Sequence, residues 1–180
     1  MKMNVQIASI LPEQKELFLN LYNLYLYDLS EFSGEDLLEK GTYDPTNTYL
    51  YLEREELHPF LIQYEGKVIG FVLVCSPPYV PEDVDYTVQE LFLVKKYRGQ
   101  GLAAQAVDLV FAQFEGTFKV EQLANNAAAV SFWKRYYAQH QIEYTESEYN
   151  IEIDNIAGSH QILSQTFVRG REREYNLEGE

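Results

Sequence analysis

Residues 90–104 read Glu-Leu-Phe-Leu-Val-Lys-Lys-Tyr-Arg-Gly-Gln-Gly-Leu-Ala-Ala and join an apolar strand to an amphipathic helix through a glycine-rich turn. Glycines let a backbone approach a ligand closely, and the first turn of a helix offers unpaired N–H groups at the positive end of its dipole. Such a junction suits a phosphate or pyrophosphate, and Arg98 adds a fixed positive charge beside it. The stretch therefore predicts an anion site; the alternative is a turn that only starts a helix.

Two familiar phosphate-binding loops do not fit this stretch. A Walker loop ends in Gly-Lys-Ser/Thr, whereas residues 101–103 read Gly-Leu-Ala. A dinucleotide fingerprint carries three glycines near the start of a parallel fold, whereas this turn lies mid-chain with only Gly99 and Gly101. A nucleotide-phosphate site of either kind is thus disfavoured.

Composition limits the class of protein. The 180 residues, 46% hydrophobic and 23% charged, predict one globular domain over residues 1–170, followed by a polar tail at 171–180. A net charge of −14 argues against a nucleic-acid partner, which needs a basic surface. The single cysteine, Cys75, excludes an internal disulfide. With no signal peptide and no apolar run near the ~20 residues that span a membrane, we expect a cytoplasmic protein without a membrane partner.

Hydrophobic spacing and turn residues predict the order β-α-α-β-β-β-α-β-α-β-β. The predicted elements are a strand at 4–10, a helix from Pro12 to about Leu29, a short acidic helix near 35–40, strands at 60–64, 68–75 and 87–94, a helix from 102, a strand at 118–123, a helix after Asn126, and strands at 149–153 and 162–168. This order implies an α/β (α+β) fold, with a mixed sheet of about six to seven strands and helices on both faces.

The glycine-rich turn resembles the pyrophosphate-binding motif of the GNAT superfamily of N-acyltransferases, Gln/Arg-x-x-Gly-x-Gly/Ala, at Arg98, Gly101 and Ala103. The helix after residue 125 is similar to a second GNAT signature, Asn-x-x-Ala-x-x-Phe/Leu-Tyr, at its first three fixed positions (Asn126, Ala129 and Phe132). The predicted element order is also that of the GNAT fold. Within the family, the chain resembles a small bacterial subgroup of acetyltransferases without an assigned substrate.

The resemblance implies acetyl-CoA as co-substrate, and the histidine spacing implies no metal. It places the pyrophosphate on the backbone of the turn and the pantetheine arm in a gap between strands 87–94 and 118–123. The residues that it assigns to the cofactor are Leu93, Val94, Arg98, Gly99, Gln100, Gly101, Leu102, Ala103 and Asn126. Asn126 could equally be a simple helix cap. His58, His140 and His160 have no metal-ligand spacing.

Trp133 departs from the family pattern, because the family usually has a tyrosine there that protonates the leaving thiolate. An indole N–H is not a usable acid. Either Tyr136 or Tyr137 takes this role, with Tyr136 our candidate, or no acid is used. The last alternative is chemically acceptable because a thiol with a pKa of about 8.5 leaves as a thiolate.

Glu90 is the candidate general base. It lies in an otherwise apolar strand, and strict alternation would place it on the face of Val88 and Phe92. Burial would raise the pKa of its carboxyl toward neutrality, which suits removal of a proton from an ammonium group. The alternative is a glutamate that faces solvent. Cys75 could carry an acyl group, but packing in a strand is the simpler role.

The acceptor pocket of the GNAT fold is framed by the first two helices and the last loop. The first helical region brings aromatic rings and carboxylates there, namely Tyr25, Asp28, Glu31 and Phe32, with Tyr22, Tyr27, Glu35 and Asp36 around them. Such a pocket suits a cationic amine. The alternative is that these aromatics are core and the acids are solvated.

The sequence therefore predicts an N-acetyltransferase that moves an acetyl group from acetyl-CoA to a primary amine by direct transfer in a ternary complex. The acceptor would be a small cationic amine or an exposed amino group. The alternative is a non-catalytic acyl-CoA binding or regulatory module of the same fold. A homodimer is compatible with the family. The residues do not distinguish among acceptor amines or acyl-CoAs.

Overall fold

A seven-stranded mixed sheet organises the chain in the computed structural model, which describes residues 4–170. The strands are β1 (Gln6–Ser9), β2 (Leu57–Tyr64), β3 (Lys67–Cys75), β4 (Tyr86–Leu93), β5 (Gly116–Leu123), β6 (Thr145–Glu152) and β7 (Ser159–Arg169). The helices are α1 (Lys15–Ser33), α2 (Leu102–Phe111) and α3 (Ala127–Gln139), with short 3₁₀ helices at Pro12–Gln14, Thr48–Leu52 and Lys95–Tyr97. The predicted tail at 171–180 lies outside the described residues.

The strand order is β1-β2-β3-β4-β5-β7-β6, and β4–β5 is the parallel pair of this sheet. Side chains alternate along β3 and contribute to a hydrophobic core on each face of the sheet. Phe71 and Leu73 pack with α1, whereas Val72 and Val74 pack with α2 and α3. The predicted mixed sheet with helices on both faces is therefore confirmed.

The predicted helix at 35–40 is wrong. Residues 35–38 are irregular and a turn follows. Gly34 ends α1 in the left-handed conformation (φ 77°), so α1 runs four residues beyond the predicted Leu29. Leu37 and Leu38 are both exposed, so no apolar face is buried to stabilise so short a helix. The helical turn forms instead at the 3₁₀ helix Thr48–Leu52, where Thr48 is buried.

The strands β4 and β5 pair over three positions only, from Tyr86 opposite Phe118 to Val88 opposite Val120. Beyond Val88, β4 continues to pair with β3, and β5 continues to pair with β7. The two strands therefore diverge toward their carboxyl ends and leave a wedge-shaped cleft. This is the separation that the family resemblance implies.

Gly70 sets how closely β3 approaches the wall of this cleft. It lies opposite Leu93, and a Cβ at this position would lie 2.0 Å from the carbonyl oxygen of Phe92. We expect Gly70→Ala to destabilise the protein by about 3 kcal/mol in urea unfolding, because backbone must move to accept the methyl group. Gly66→Ala is the control: its Cβ meets open space, and only its left-handed φ of 73° costs about 1 kcal/mol. Equal losses in the two variants would contradict the close approach.

Candidate active site

A β-bulge determines where Glu90 points. Leu73 pairs with Glu90 and the next residue, Val74, pairs with Val88, so Gln89 is an extra residue in β4. Glu90 therefore lies on the α1 face with Leu73 and Phe92, whereas Val88 packs on the opposite face. The expectation that Val88 and Glu90 share a face is wrong, because the bulge breaks the alternation between them.

The backbone of Leu93 is turned toward the cleft. Val94 donates its N–H to the carbonyl of Ile69 on β3 (2.8 Å), and its own carbonyl accepts from Tyr97 N–H (2.9 Å). Because backbone groups alternate sides along a strand, the N–H and C=O of Leu93 point away from β3. The structure thus offers the N–H of Leu93 to a ligand, whereas both backbone groups of Val94 are already bonded.

The turn before α2 presents a row of amide groups. Gly99 and Gly101 adopt left-handed conformations, with φ of 73° and 74°. The first hydrogen bond of α2 runs from Gln105 N–H to Gly101 O (3.3 Å). The N–H groups of residues 102–104 lie before this bond and therefore have no partner within the helix. The Gln100 side chain donates to Lys96 O (3.0 Å) and holds the turn. This arrangement can bind an anion through backbone amides.

Arg98 joins the two predicted subsites. Its Nε donates to Leu93 O (2.6 Å), its guanidinium bonds the Asp28 carboxylate on α1, and it lies over the Phe92 ring (5.6 Å to the centroid). Lys95 also lies 3.5 Å from Asp28. Arg98, expected at the cofactor, and Asp28, expected at the acceptor, are therefore bonded to each other, and Asp28 is not a lone carboxylate.

The Glu90 carboxylate lies in a partly buried aromatic layer beneath the sheet. Burial raises its pKa to about 7, and a hydrogen bond from Tyr22 Oη to Oε1 (2.8 Å) opposes that rise. Tyr25 packs beside Tyr22 (5.5 Å between centroids), and burial together with the charge of Glu90 raises the pKa of Tyr25 well above its ordinary value. A carboxyl that titrates near neutrality can accept a proton from an ammonium group.

The remaining predicted residues lie at the end of α1 and the start of α3. Glu31 is exposed, and Phe32 is partly buried with its carbonyl accepting from Asn125 Nδ2 (3.0 Å). Asn126 caps α3, because its Oδ1 accepts from Ala129 N–H (3.2 Å). The Asn125 bond links the carboxyl end of α1 to the turn that follows β5.

The structure does not bring Tyr136 together with Glu90. Tyr136 is buried in the α2–α3 core, on the other face of the sheet, and its hydroxyl donates to Asp108 (2.6 Å). Burial and this carboxylate raise the pKa of Tyr136, which makes it a weaker acid. Tyr137 and Trp133 are buried in the same core. The helical spacing of α3 turns all three rings inward, and this placement does not support Tyr136 as the acid.

Sequence reasoning missed the polar partners of the Glu90 layer. Tyr22 bonds Glu90, and Tyr51 Oη lies 3.0 Å from Cys75 Sγ. Burial raises the pKa of Cys75, so its thiol stays protonated, in keeping with packing. Thr87 Oγ1 is buried without a hydrogen-bond partner within residues 4–170. The sequence placed Tyr22 around the acceptor pocket, but it carried no sign of the bond to Glu90, because the partner lies 68 positions away.

Within residues 4–170, no cluster of three or more histidine, cysteine or acidic side chains is placed to hold a metal ion. Across the same residues, every helix is too short or too polar to cross a bilayer.

Comparison with known proteins places this geometry in context. The family model described as "Acetyltransferase (GNAT) family" matches residues 19–137. No curated protein matches the chain. Solved structures that are similar across most of their length include three acetyltransferases. An acetyltransferase from Thermus thermophilus is 15% identical, with a TM-score of 0.63 over 90% of this chain and 96% of that one.

The other two similar structures come from Salmonella typhimurium. One is an acetyltransferase that modifies the N-terminal serine of the 50S ribosomal subunit protein L7/L12 (11% identity, TM-score 0.65, 93% of this chain and 96% of that one). The other is a putative acetyltransferase with its cofactor acetyl-CoA (12% identity, TM-score 0.62, 94% and 96%). At these identities the likeness shows a shared fold.

The raised pKa of Glu90 predicts a pH-dependent stability. Its pKa is about 7 in the folded protein against an ordinary 4.5, so the folded state holds more protons between these values, and stability falls as pH rises through this window. The full contribution is about 3 kcal/mol. We expect Glu90→Gln to abolish this part of the decline in urea unfolding measured from pH 4.5 to 8.

Glu31→Gln is the matched control, because it removes the same charge from an exposed position on α1. It should leave the pH dependence of the wild type in place. A Glu90→Gln variant whose stability declines with pH as steeply as the wild type would show that the Glu90 pKa is not raised.

Proposed function

Because the chain belongs to the GNAT acetyltransferase family and is an acetyl-CoA-dependent acyltransferase, we propose that it acetylates a primary amine by direct transfer in a ternary complex. The observation that carries this proposal is the wall of the cleft from Glu90 to Leu93. It combines a carboxyl that titrates near pH 7 with a backbone N–H that has no partner strand.

The described residues fit acetyl-CoA on two counts. Beyond Val88, the edge of β4 that faces the cleft pairs with no strand within residues 4–170, so an extended amide-bearing chain can pair there through Leu93. The amide groups at the start of α2 suit the pyrophosphate, with Gly101 holding the turn that exposes them. Acetyl-CoA supplies the activated acetyl group as a thioester, and in this proposal backbone amides hold its pyrophosphate and its pantetheine arm.

Glu90 is the proposed general base. An ammonium group enters from the α1 side of the sheet, and Glu90 takes one of its protons, directly or through a water molecule. The freed amine nitrogen attacks the thioester carbonyl carbon. The Leu93 N–H stabilises the negative charge that develops on the carbonyl oxygen. The carbon–sulfur bond then breaks, and the thiolate leaves with its electron pair. The acetyl group stays on nitrogen, which loses its second proton to solvent and becomes the neutral amide.

No tyrosine acid is needed in this scheme. Tyr136 is held by Asp108, and Trp133 occupies the position of the family's usual acid. A thiolate whose conjugate acid has a pKa of about 8.5 is an adequate leaving group. The proton taken by Glu90 can reach the thiolate through solvent after transfer.

The acceptor that fits best is a cationic primary amine. Glu90 and Tyr25 lie beneath the cleft, and Glu35 lies near Tyr22 with its pKa raised by burial and by Asp44. Negative charge among aromatic faces favours an ammonium group. The similar structure that modifies an N-terminal serine shows that this fold can serve a peptide α-amine, so an exposed amino group is an acceptor of the same chemical class.

The role of Glu90 is tested by Glu90→Gln. We expect turnover, read as thiol release with a panel of primary amines, to fall about 10²–10⁴-fold because the base is lost. Acetyl-CoA affinity should stay within about twofold. The wild-type rate should rise with pH through about 7, the pKa of Glu90, as the carboxyl ionises. Normal turnover in the variant would overturn this role, and a wild type that binds acetyl-CoA but acetylates no amine would indicate a non-catalytic module.

The cofactor site is tested by Gly101→Val. Valine at a φ of 74° strains the backbone by about 1–2 kcal/mol. This strain is relieved only if the turn changes conformation, which moves the amide groups out of their row. We expect micromolar acetyl-CoA binding in the wild type, about −8 kcal/mol by calorimetry, and at least a tenfold loss in the variant. Gly41→Val, at a φ of 79° in equally open space, is the control and should bind normally. A parallel loss in both variants would argue against a site at the turn.

A further inference from the structure

Tyr22 is the only residue among those described at 4–170 whose side chain donates a hydrogen bond to Glu90. Its ring is 6% exposed and packs between Phe18 and Phe71, with centroid distances of 6.3 and 6.0 Å. Its hydroxyl crosses from α1 to β4 and lies 2.8 Å from Glu90 Oε1. This is the point at which the α1 helix touches the proposed base.

An aromatic slot of this kind needs no hydroxyl. Phenylalanine would fill the same space between Phe18 and Phe71, so apolar packing does not account for the phenol. A buried hydroxyl is costly unless it is bonded, and this one is bonded to the group that the proposed reaction requires. The hydroxyl therefore acts through Glu90.

We propose that Tyr22 is the positioning residue for Glu90, a role that rests on the proposed function of Glu90 as the base. The bond occupies Oε1 and fixes the rotation of the carboxylate. Oε2 makes no hydrogen bond to another residue within 4–170, and it is the oxygen left to take the amine proton. Tyr22 also favours the ionised carboxylate, because a donor stabilises negative charge.

Tyr22 does not itself carry the proton. Burial and the charge of Glu90 raise the pKa of its phenol far above the physiological range, so it remains a donor throughout. The other titratable groups that face this pair are Tyr25 on α1, Tyr51 on the 3₁₀ helix, Cys75 on β3 and Glu35 in the loop after α1. Burial keeps the phenols and the thiol neutral near pH 7. Glu35 is therefore the neighbour whose titration must be separated from that of Glu90, because burial and Asp44 raise its pKa as well.

The test is Tyr22→Phe, which removes one oxygen and keeps the ring. We expect kcat to fall about tenfold, with the KM for acetyl-CoA unchanged. We also expect the acidic limb of the kcat/KM profile to move up by about one pH unit, because Glu90 loses the donor that lowers its pKa. Tyr51→Phe is the matched control. It removes a hydroxyl from the same aromatic layer, but this hydroxyl contacts Cys75 and not Glu90, so the acidic limb should stay in place. Glu35→Gln tests whether the acidic limb of the kcat/KM profile reports the titration of Glu90, in which case the limb should remain in this variant.

Three results would overturn the positioning role. The first is a Tyr22→Phe profile whose acidic limb does not move. The second is an equal shift in Tyr51→Phe, which would indicate a general effect of the layer. The third is a limb that disappears with Glu35→Gln.

The failure of the proposed function gives a different pattern. If the wild type acetylates no amine, the Tyr22–Glu90 bond can still be tested through the pH dependence of the free energy of unfolding. Tyr22→Phe should then shift the Glu90-dependent decline in urea unfolding to higher pH. No shift in that experiment, in a variant with a wild-type circular dichroism spectrum, would refute the bond itself.

Discussion

The site depends on a break in one strand pair. β4 and β5 hold three parallel positions and then separate after Val88 and Val120, so no strand within residues 4–170 pairs with that edge of β4 beyond Val88. A buried backbone group without a partner costs about 1–3 kcal/mol. The carbonyl of Leu93 accepts from Arg98, and the Leu93 N–H points to the cleft, where no strand among residues 4–170 pairs with it. An enzyme that must stabilise developing negative charge thus keeps a donor in place before its ligand arrives.

Keeping that edge open requires rigidity elsewhere. β3 holds the other edge of β4 along its length, with Gly70 allowing close contact at Leu93. The rings of Phe111, Phe118 and Phe167 pack against one another under the paired part of the sheet and fix β5 and β7. The bulge at Gln89 lies where the pairing stops, and it turns Glu90 toward α1. One local irregularity therefore sets the position of the proposed base and lies at the start of the cleft.

Much of this could be predicted from sequence, because the signals were local. The glycine turn, the apolar stripe of α2 and the cap at Asn126 each lie within a few residues of the structure that they specify. The errors concern what depends on distant partners. A bulge is set by the register with β3, so the strict alternation that placed Val88 beside Glu90 gave the wrong face. The exposure of Leu37 and Leu38, which left residues 35–40 without a helix, likewise depends on what packs nearby.

The bond between Arg98 and Asp28 shows why the sequence could not separate cofactor residues from acceptor residues correctly. The two residues lie 70 positions apart, and motif reasoning assigned one to the cofactor and the other to the acceptor. In the structure they form one ion pair that ties α1 to the end of β4, next to the carbonyl of Leu93. A ligand that competes for the guanidinium or for that carbonyl must alter contacts of α1 as well. Because α1 also carries Tyr22, the helix couples the cofactor edge of β4 to the environment of Glu90.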